Sequence, residues 1–193
     1  MKIVFATNNS HKLAEVREIF SGKVEVLSLA DIACFEDIEE TSPTIEGNSR
    51  QKARYVYEHY GVDCFSDDTG LEVDVLNGAP GVYSARYAGY PVDSARNCAK
   101  LLQEMAGCTN RHARFRTVIT LILHGEEHQF EGIVEGTIGE KEQGEHGFGY
   151  DALFIPDGFT DTFAQLGEKE KNKISHRSKA LAALWEFINQ NYL

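Results

Sequence analysis

The chain has 193 residues, 42% of them hydrophobic and 25% charged, which suffices for one sizeable core and predicts a single globular domain over 1–193. Its formal charge of −11 excludes broad docking onto a nucleic acid polymer or an anionic membrane, surfaces gripped mainly by Lys and Arg, while a small anion needs only a few convergent cations. The apolar runs are too short for a signal peptide or a membrane span, and Cys34, Cys64, Cys98 and Cys108 form no CxxC pair, which together predict a cytoplasmic protein with reduced thiols.

Lys2 to Thr7 predicts a buried strand, Asn8-Asn9-Ser10 a turn and cap, and the helical spacing of Leu13, Val16, Ile19 and Phe20 an amphipathic helix over 10–20. A second strand is expected at Val24 to Leu29 and a second helix from about Asn48 to Tyr60, with Ala53, Val56, Tyr57 and Tyr60 on its inner side. Asp63 to Asp67 and Leu71 to Val75 read as short strands flanking an aspartate turn, and 77–91, rich in Gly, Pro and Tyr, as an ordered loop. Ala95, Cys98, Leu102 and Met105 mark a third helix. Arg114 to Leu123 and His128 to Ile138 predict a long hairpin, Leu153 to Ile155 a strand, and Leu181, Leu184, Trp185 and Ile188 the last helix. Mixing βαβ units with a hairpin gives an α/β chain with a mixed, twisted sheet.

Five segments hold candidate chemistry. Asp67 and Asp68 are adjacent carboxylates; one reading makes them a turn cap and a solvent-facing neighbour, the other gives them a divalent cation or a shared proton to offset their repulsion. Thr7, Asn8, Asn9, Ser10, His11 and Lys12 occupy a strand-to-helix junction, which is either a plain cap or an anion site with a mobile cation. Glu39-Glu40-Thr41 is either a solvated acidic loop or the source of one more carboxylate for a hard cation. Gly147-Phe148-Gly149-Tyr150-Asp151 offers aromatic faces on a flexible backbone, or simply a core plug. Lys169, Lys171 and Lys173 read as a solvated basic run leading to His176 and Arg177, which sit at a helix start where cations oppose the dipole; an anionic or carbonyl-bearing ligand would explain that placement.

Taken together, TNNSHK at 7–12, EETSPTIEGNS at 39–49, SDDTGLEVD at 66–74, PGVYSARYAG at 80–89, GFGYD at 147–151 and KNKISHR at 171–177 resemble, in order and through nearly the whole chain, the RdgB/HAM1 family of inosine triphosphate pyrophosphatases. The resemblance implies an elongated mixed α/β fold with a nucleotide cleft between two lobes. It also implies a homodimer that uses Mg²⁺ to hydrolyse ITP, dITP and XTP to monophosphate and pyrophosphate. Carried over by motif, residues Thr7 to Lys12 would hold the triphosphate, Glu40 and Asp68 the Mg²⁺, and Asp68 would be the base that activates water. Thr69 would contact substrate, Phe148, Gly149, Tyr150 and Asp151 would frame the base, and Lys171, His176 and Arg177 would complete the nucleotide site. Thr69 stands where the family often has serine and keeps the hydroxyl; Ala152 stands where proline is frequent after the turn, which loosens the expectation for base selectivity.

The physical chemistry agrees. Phosphoanhydride hydrolysis asks for an aligned water and neutralised charge, work for a cation, lysines and a carboxylate base. Choosing a 6-oxopurine over adenine asks for donors aimed at that oxygen, which His176 and Arg177 can supply. Two rivals stand beside this: a Maf-type pyrophosphatase of modified pyrimidine nucleotides, and a non-catalytic nucleotide-binding module whose acidic pair merely holds a metal.

Overall fold

The structure, a computed structural model, describes residues 1–192. Its elements are β1 (Lys2–Phe5), α1 (Ser10–Ile19), β2 (Glu25–Leu27), α2 (Ile45–Tyr60), β3 (Cys64–Val73), β4 (Pro80–Gly81), α3 (Ser94–Glu104), β5 (His112–Leu123), β6 (Glu126–Ile138), β7 (Phe154–Pro156), α4 (Phe163–Ile174) and α5 (His176–Tyr192), with short 3₁₀ turns between some of them. One mixed sheet runs in the order β2-β1-β3-β5-β6-β7, with β4 paired to β3. The chain forms two compact units, the first comprising Met1–Asp68, Thr117–Gly132 and the described part of Ser178–Leu193, the second Thr69–Arg116 and Ile133–Arg177.

In the first unit β1 lies parallel to β2 (Ile3 opposite Val26) and to the start of β3 (Phe5 opposite Phe65). Strand side chains alternate between faces, so β1 buries both. Ile3 and Phe5 join Val16 and Phe20 of α1 and Leu181, Leu184 and Ile188 of α5 in one core cluster, while Val4 and Ala6 join Ala53 and Val56 of α2 in another. Helices therefore cover both faces of the sheet, as continuous apolar strands such as Ile3-Val4-Phe5 require.

The second unit packs α3, through Cys98, Leu101 and the adjoining Met105, with Leu71, Val73, Phe115, Val134, Phe154 and Phe163 in a single apolar cluster. β7 pairs antiparallel with β6 and β4 antiparallel with β3. The hairpin turn between β5 and β6 is His124-Gly125, both at positive φ, which suits the twist of two strands joined by two residues.

Two local expectations need correction. The aspartate segment is no turn between two strands: β3 runs unbroken through Asp67, Asp68 and Gly70, and Gly70 is not among the residues at positive φ. Burial on both sides holds the two carboxylates extended. Lys169 and Lys173 are exposed as a solvated run would be, but the run belongs to α4, where Lys171 is buried. Thr162 caps α4 in a reciprocal box with Gln165, and Gly167, at φ 78°, kinks it in the middle.

Candidate active site

In the first unit the site is built around Asp67 and Asp68 in the middle of β3. Asp67 and Asp68 are almost fully buried, at 1% and 7% exposure. Consecutive strand residues leave on opposite faces, so the two carboxylates have different neighbours. Asp67 accepts from Lys12 Nζ at 3.0 Å. Asp68 is pushed up to about 6: burial raises it most, Lys52 and Lys12 pull it down, and Glu40 and Asp67 push it up again. Lys52, buried on the inner face of α2, forms a close ion pair with Glu40. Burial pulls the Lys52 ammonium down, but Glu40, Asp68 and Asp67 together outweigh it, so Lys52 is raised and stays charged.

Beneath them lies a polar layer. Ser66 donates to the carbonyl of Ser49, and Ser49 Oγ meets Thr120 Oγ1 at 2.9 Å. At the β1-to-α1 junction, Asn9 Oδ1 accepts from the N–H groups of His11 (3.0 Å) and Lys12 (3.1 Å), and Thr7 Oγ1 from that of Asn9 (3.1 Å). Asn8 Nδ2 donates to Asp37 at 3.3 Å, and Ser10 and His11 are exposed. Two N–H groups expected for an anion are thus capped by Asn9.

In the second unit the GFGYD turn closes on itself. Asp151 Oδ2 accepts from Phe148 N (3.0 Å) and from Lys171 Nζ (2.7 Å), and both partners of this ion pair are buried. Gly147 has φ 77°, and a Cβ there would stand 2.1 Å from Asp151 Oδ2, so the turn admits only glycine. Phe148 is half-buried, with Lys171 Nζ 4.6 Å and the Arg177 guanidinium 5.7 Å from its ring centroid. Tyr150 is turned into the core, where its hydroxyl donates to Ser84 O at 2.7 Å, and burial raises it. The His176 ring stacks on Phe115 at 4.7 Å, and Arg177, 2% exposed, lies 3.5 Å from Thr69 Oγ1. Gly149 O accepts from Cys98 Sγ at 3.4 Å.

Within the first unit, then, Lys12, Glu40 and Asp68 come together; within the second, Thr69, Phe148, Asp151, Lys171, His176 and Arg177 share one neighbourhood. Sequence reasoning missed Lys52. Its signal was positional: Ser49, Lys52, Ala53 and Val56 recur at helical spacing, which puts a lysine on the apolar face of α2.

Among the described residues no three His, Cys, Asp or Glu side chains converge into a cage for an ion. The donor set still fits a hard cation, because Glu40 and Asp67 raise the cost of charging Asp68 and Mg²⁺ takes only one or two protein carboxylates with water and phosphate oxygens completing its shell.

The Ham1 family profile matches residues 3–187. The chain belongs to the Ham1 family. It is 53% identical to a dITP/XTP pyrophosphatase of Porphyromonas gingivalis over 188 residues, covering 97% of both chains, and 52% identical to one of Flavobacterium psychrophilum over 97% of this chain and 99% of that one. Its fold follows the Ham1 protein structure of Staphylococcus aureus with a TM-score of 0.89 at 37% identity, covering 98% of this chain and 99% of that one. A HAM1 structure from Coxiella burnetii superposes with a TM-score of 0.90 at 36% identity over the same shares.

Proposed function

We propose that this Ham1-family chain is a nucleoside-triphosphate pyrophosphatase that hydrolyses dITP, ITP and XTP to the monophosphate and pyrophosphate, cleansing the nucleotide pool of deaminated purines. One observation carries this: a buried carboxyl, Asp68, raised to about 6 among two carboxylates and two lysines. A carboxylate with that affinity for protons is a better base near neutral pH than an ordinary one. Relatives named dITP/XTP pyrophosphatase at 52 to 53% identity supply the substrate class.

Asp68 takes the proton of the attacking water. Lys12 leaves Asp67 for the polyphosphate, and residues Thr7 to His11 line that end. Glu40 and Asp68 would hold Mg²⁺, which would supply neutralisation of phosphate charge. Lys52, which the structure adds, keeps Glu40 and Asp68 in one electrostatic unit. Phe148 offers a ring face to the purine, Asp151 and Lys171 fix the turn, and Thr69, His176 and Arg177 supply the hydroxyl and donors around it. The protein works as one domain and as a cytoplasmic homodimer; exposed Tyr83, Tyr90 and Val92 offer apolar surface for a second copy, and four free cysteines suit a reducing compartment.

The test is incubation with ITP, dITP, XTP, ATP, GTP and UTP with and without Mg²⁺, measuring pyrophosphate and orthophosphate separately. Pyrophosphate from ITP, dITP and XTP but not from GTP or ATP, lost on chelation, is expected. Orthophosphate alone, preference for UTP, or binding without hydrolysis contradicts the proposal.

A further inference from the structure

Glu40 lies in a stretch, 37–42, with neither helix nor strand, so no backbone ladder fixes its carboxylate. The residues that follow it are fixed from α2 instead. Ser42 N donates to Asn48 Oδ1 at 2.8 Å, Thr41 N to Gln51 Oε1 at 3.0 Å, and Gln51 Nε2 to Thr41 Oγ1 at 3.1 Å. Thr44 Oγ1 then caps the helix through Gly47 N at 3.0 Å. The approach is tight: a Cβ on Gly47 would stand 1.8 Å from Ser42 Oγ.

Asn48 differs from the other anchors in being wholly buried, 0% exposed, so its end of the bond to Ser42 is shielded from water. Its Nδ2 is also buried and has no hydrogen-bond partner. A position kept only for packing would favour an apolar side chain over an amide whose donor is left unpaired; the acceptor must be what matters. Asn48 stands one helical turn before Lys52, whose ammonium pairs with Glu40. One face of α2 therefore grips the acidic segment twice, by the Glu40 carboxylate and by the backbone two residues on.

We propose that Asn48, with Gln51 in support, is a positioning residue that sets the Glu40 carboxylate for cation binding. The inference rests on the function proposed above, in which Glu40 is a metal ligand. It is tested by titrating Mn²⁺ into the intact protein without nucleotide, reading free Mn²⁺ by electron paramagnetic resonance, with melting temperature and metal-dependent ITP hydrolysis measured alongside. Asn48→Ala should weaken Mn²⁺ binding by about 10- to 100-fold, the range for residues that orient metal ligands. Turnover of Asn48→Ala should recover to within about threefold of the parent when Mg²⁺ is raised, because Glu40 itself remains. Mn²⁺ affinity within twofold of the parent overturns the proposal, whatever happens to the melting temperature. If Asn48→Ala does not fold, Gln51→Met at its partly exposed site decides: about threefold or more weaker Mn²⁺ binding supports the proposal, and unchanged binding overturns it. The two readings fail separately. A parent protein that binds Mn²⁺ but leaves ITP intact refutes the function, whereas hydrolysis with unchanged metal affinity in the variants refutes only the positioning role.

Discussion

At the scale of single residues, Asp68 joins stability to chemistry. Its folded value of about 6 lies above its ordinary 3.8, so the folded chain holds the proton more tightly than the unfolded one. Stability of the metal-free protein therefore falls as pH rises from about 4 to 6 and is flat, for this group, above that. The charged carboxylate costs on the order of 3 kcal/mol at pH 7. Asp68→Asn removes that cost and also the proposed base. We expect turnover of ITP to drop by a factor of about 10² to 10⁴, while thermal melts in chelator show the variant more stable than the parent at pH 7 and nearly equal to it at pH 4. Turnover within about threefold of the parent would remove Asp68 from the role of base.

Lys12 and Arg177 test the two ends proposed for the substrate. Lys12→Ala deletes a charged donor worth about 1.5–3 kcal/mol, so the KM for ITP should rise about 10- to 100-fold while the inhibition constant of IMP moves less than threefold. Equal losses for ITP and IMP would place Lys12 away from the outer phosphates. Arg177→Lys keeps the charge but loses the planar fork of donors; the ratio of kcat/KM for ITP to that for ATP should fall about tenfold. An equal loss on both nucleotides would give Arg177 a structural role.

At the scale of elements, the GFGYD turn is held by one carboxylate doing two jobs, receiving Phe148 N and Lys171 Nζ on the same oxygen. Gly147→Ala puts a Cβ into that oxygen at a backbone angle alanine resists, so we expect a loss of about 1–3 kcal/mol in chemical denaturation together with a raised KM for ITP. Unchanged stability and KM would mean that the turn tolerates rearrangement. Much of this architecture was legible in the chain. The β1-to-α1 junction announced itself through Asn9 and the period of Leu13, Val16 and Ile19, and the hairpin through two β-rich runs around Gly125. β3 was harder, because Asp67-Asp68-Thr69-Gly70 has turn composition and only tertiary burial keeps it extended. α4 was hidden for two reasons: Gly167 breaks its period, and a lysine-rich stretch reads as solvated until Asp151, far away in sequence, is seen to bury Lys171. Lys52 was passed over because an ion pair with Glu40 is invisible to helical periodicity alone.

At the scale of the molecule, the acidic chain holds its inward cations against carboxylates, Lys12 and Lys52 with Asp67 and Glu40 in one unit and Lys171 with Asp151 in the other, where Arg177 also faces the Phe148 ring. No helix among the described residues is long and apolar enough to cross a membrane. The motif order that suggested the family from sequence is matched by the Ham1 profile over 3–187 and by relatives and structures covering nearly the whole chain, so fold and family stand together. The most direct measurement is product analysis with ITP and ATP in parallel, on the parent chain and on Asp68→Asn, with Mg²⁺ present. IMP and pyrophosphate in equal amounts from ITP, at a kcat/KM at least about 10²-fold above that for ATP and lost in the variant, is the expected result; orthophosphate as the product, no preference over ATP, or undiminished turnover by Asp68→Asn would contradict it.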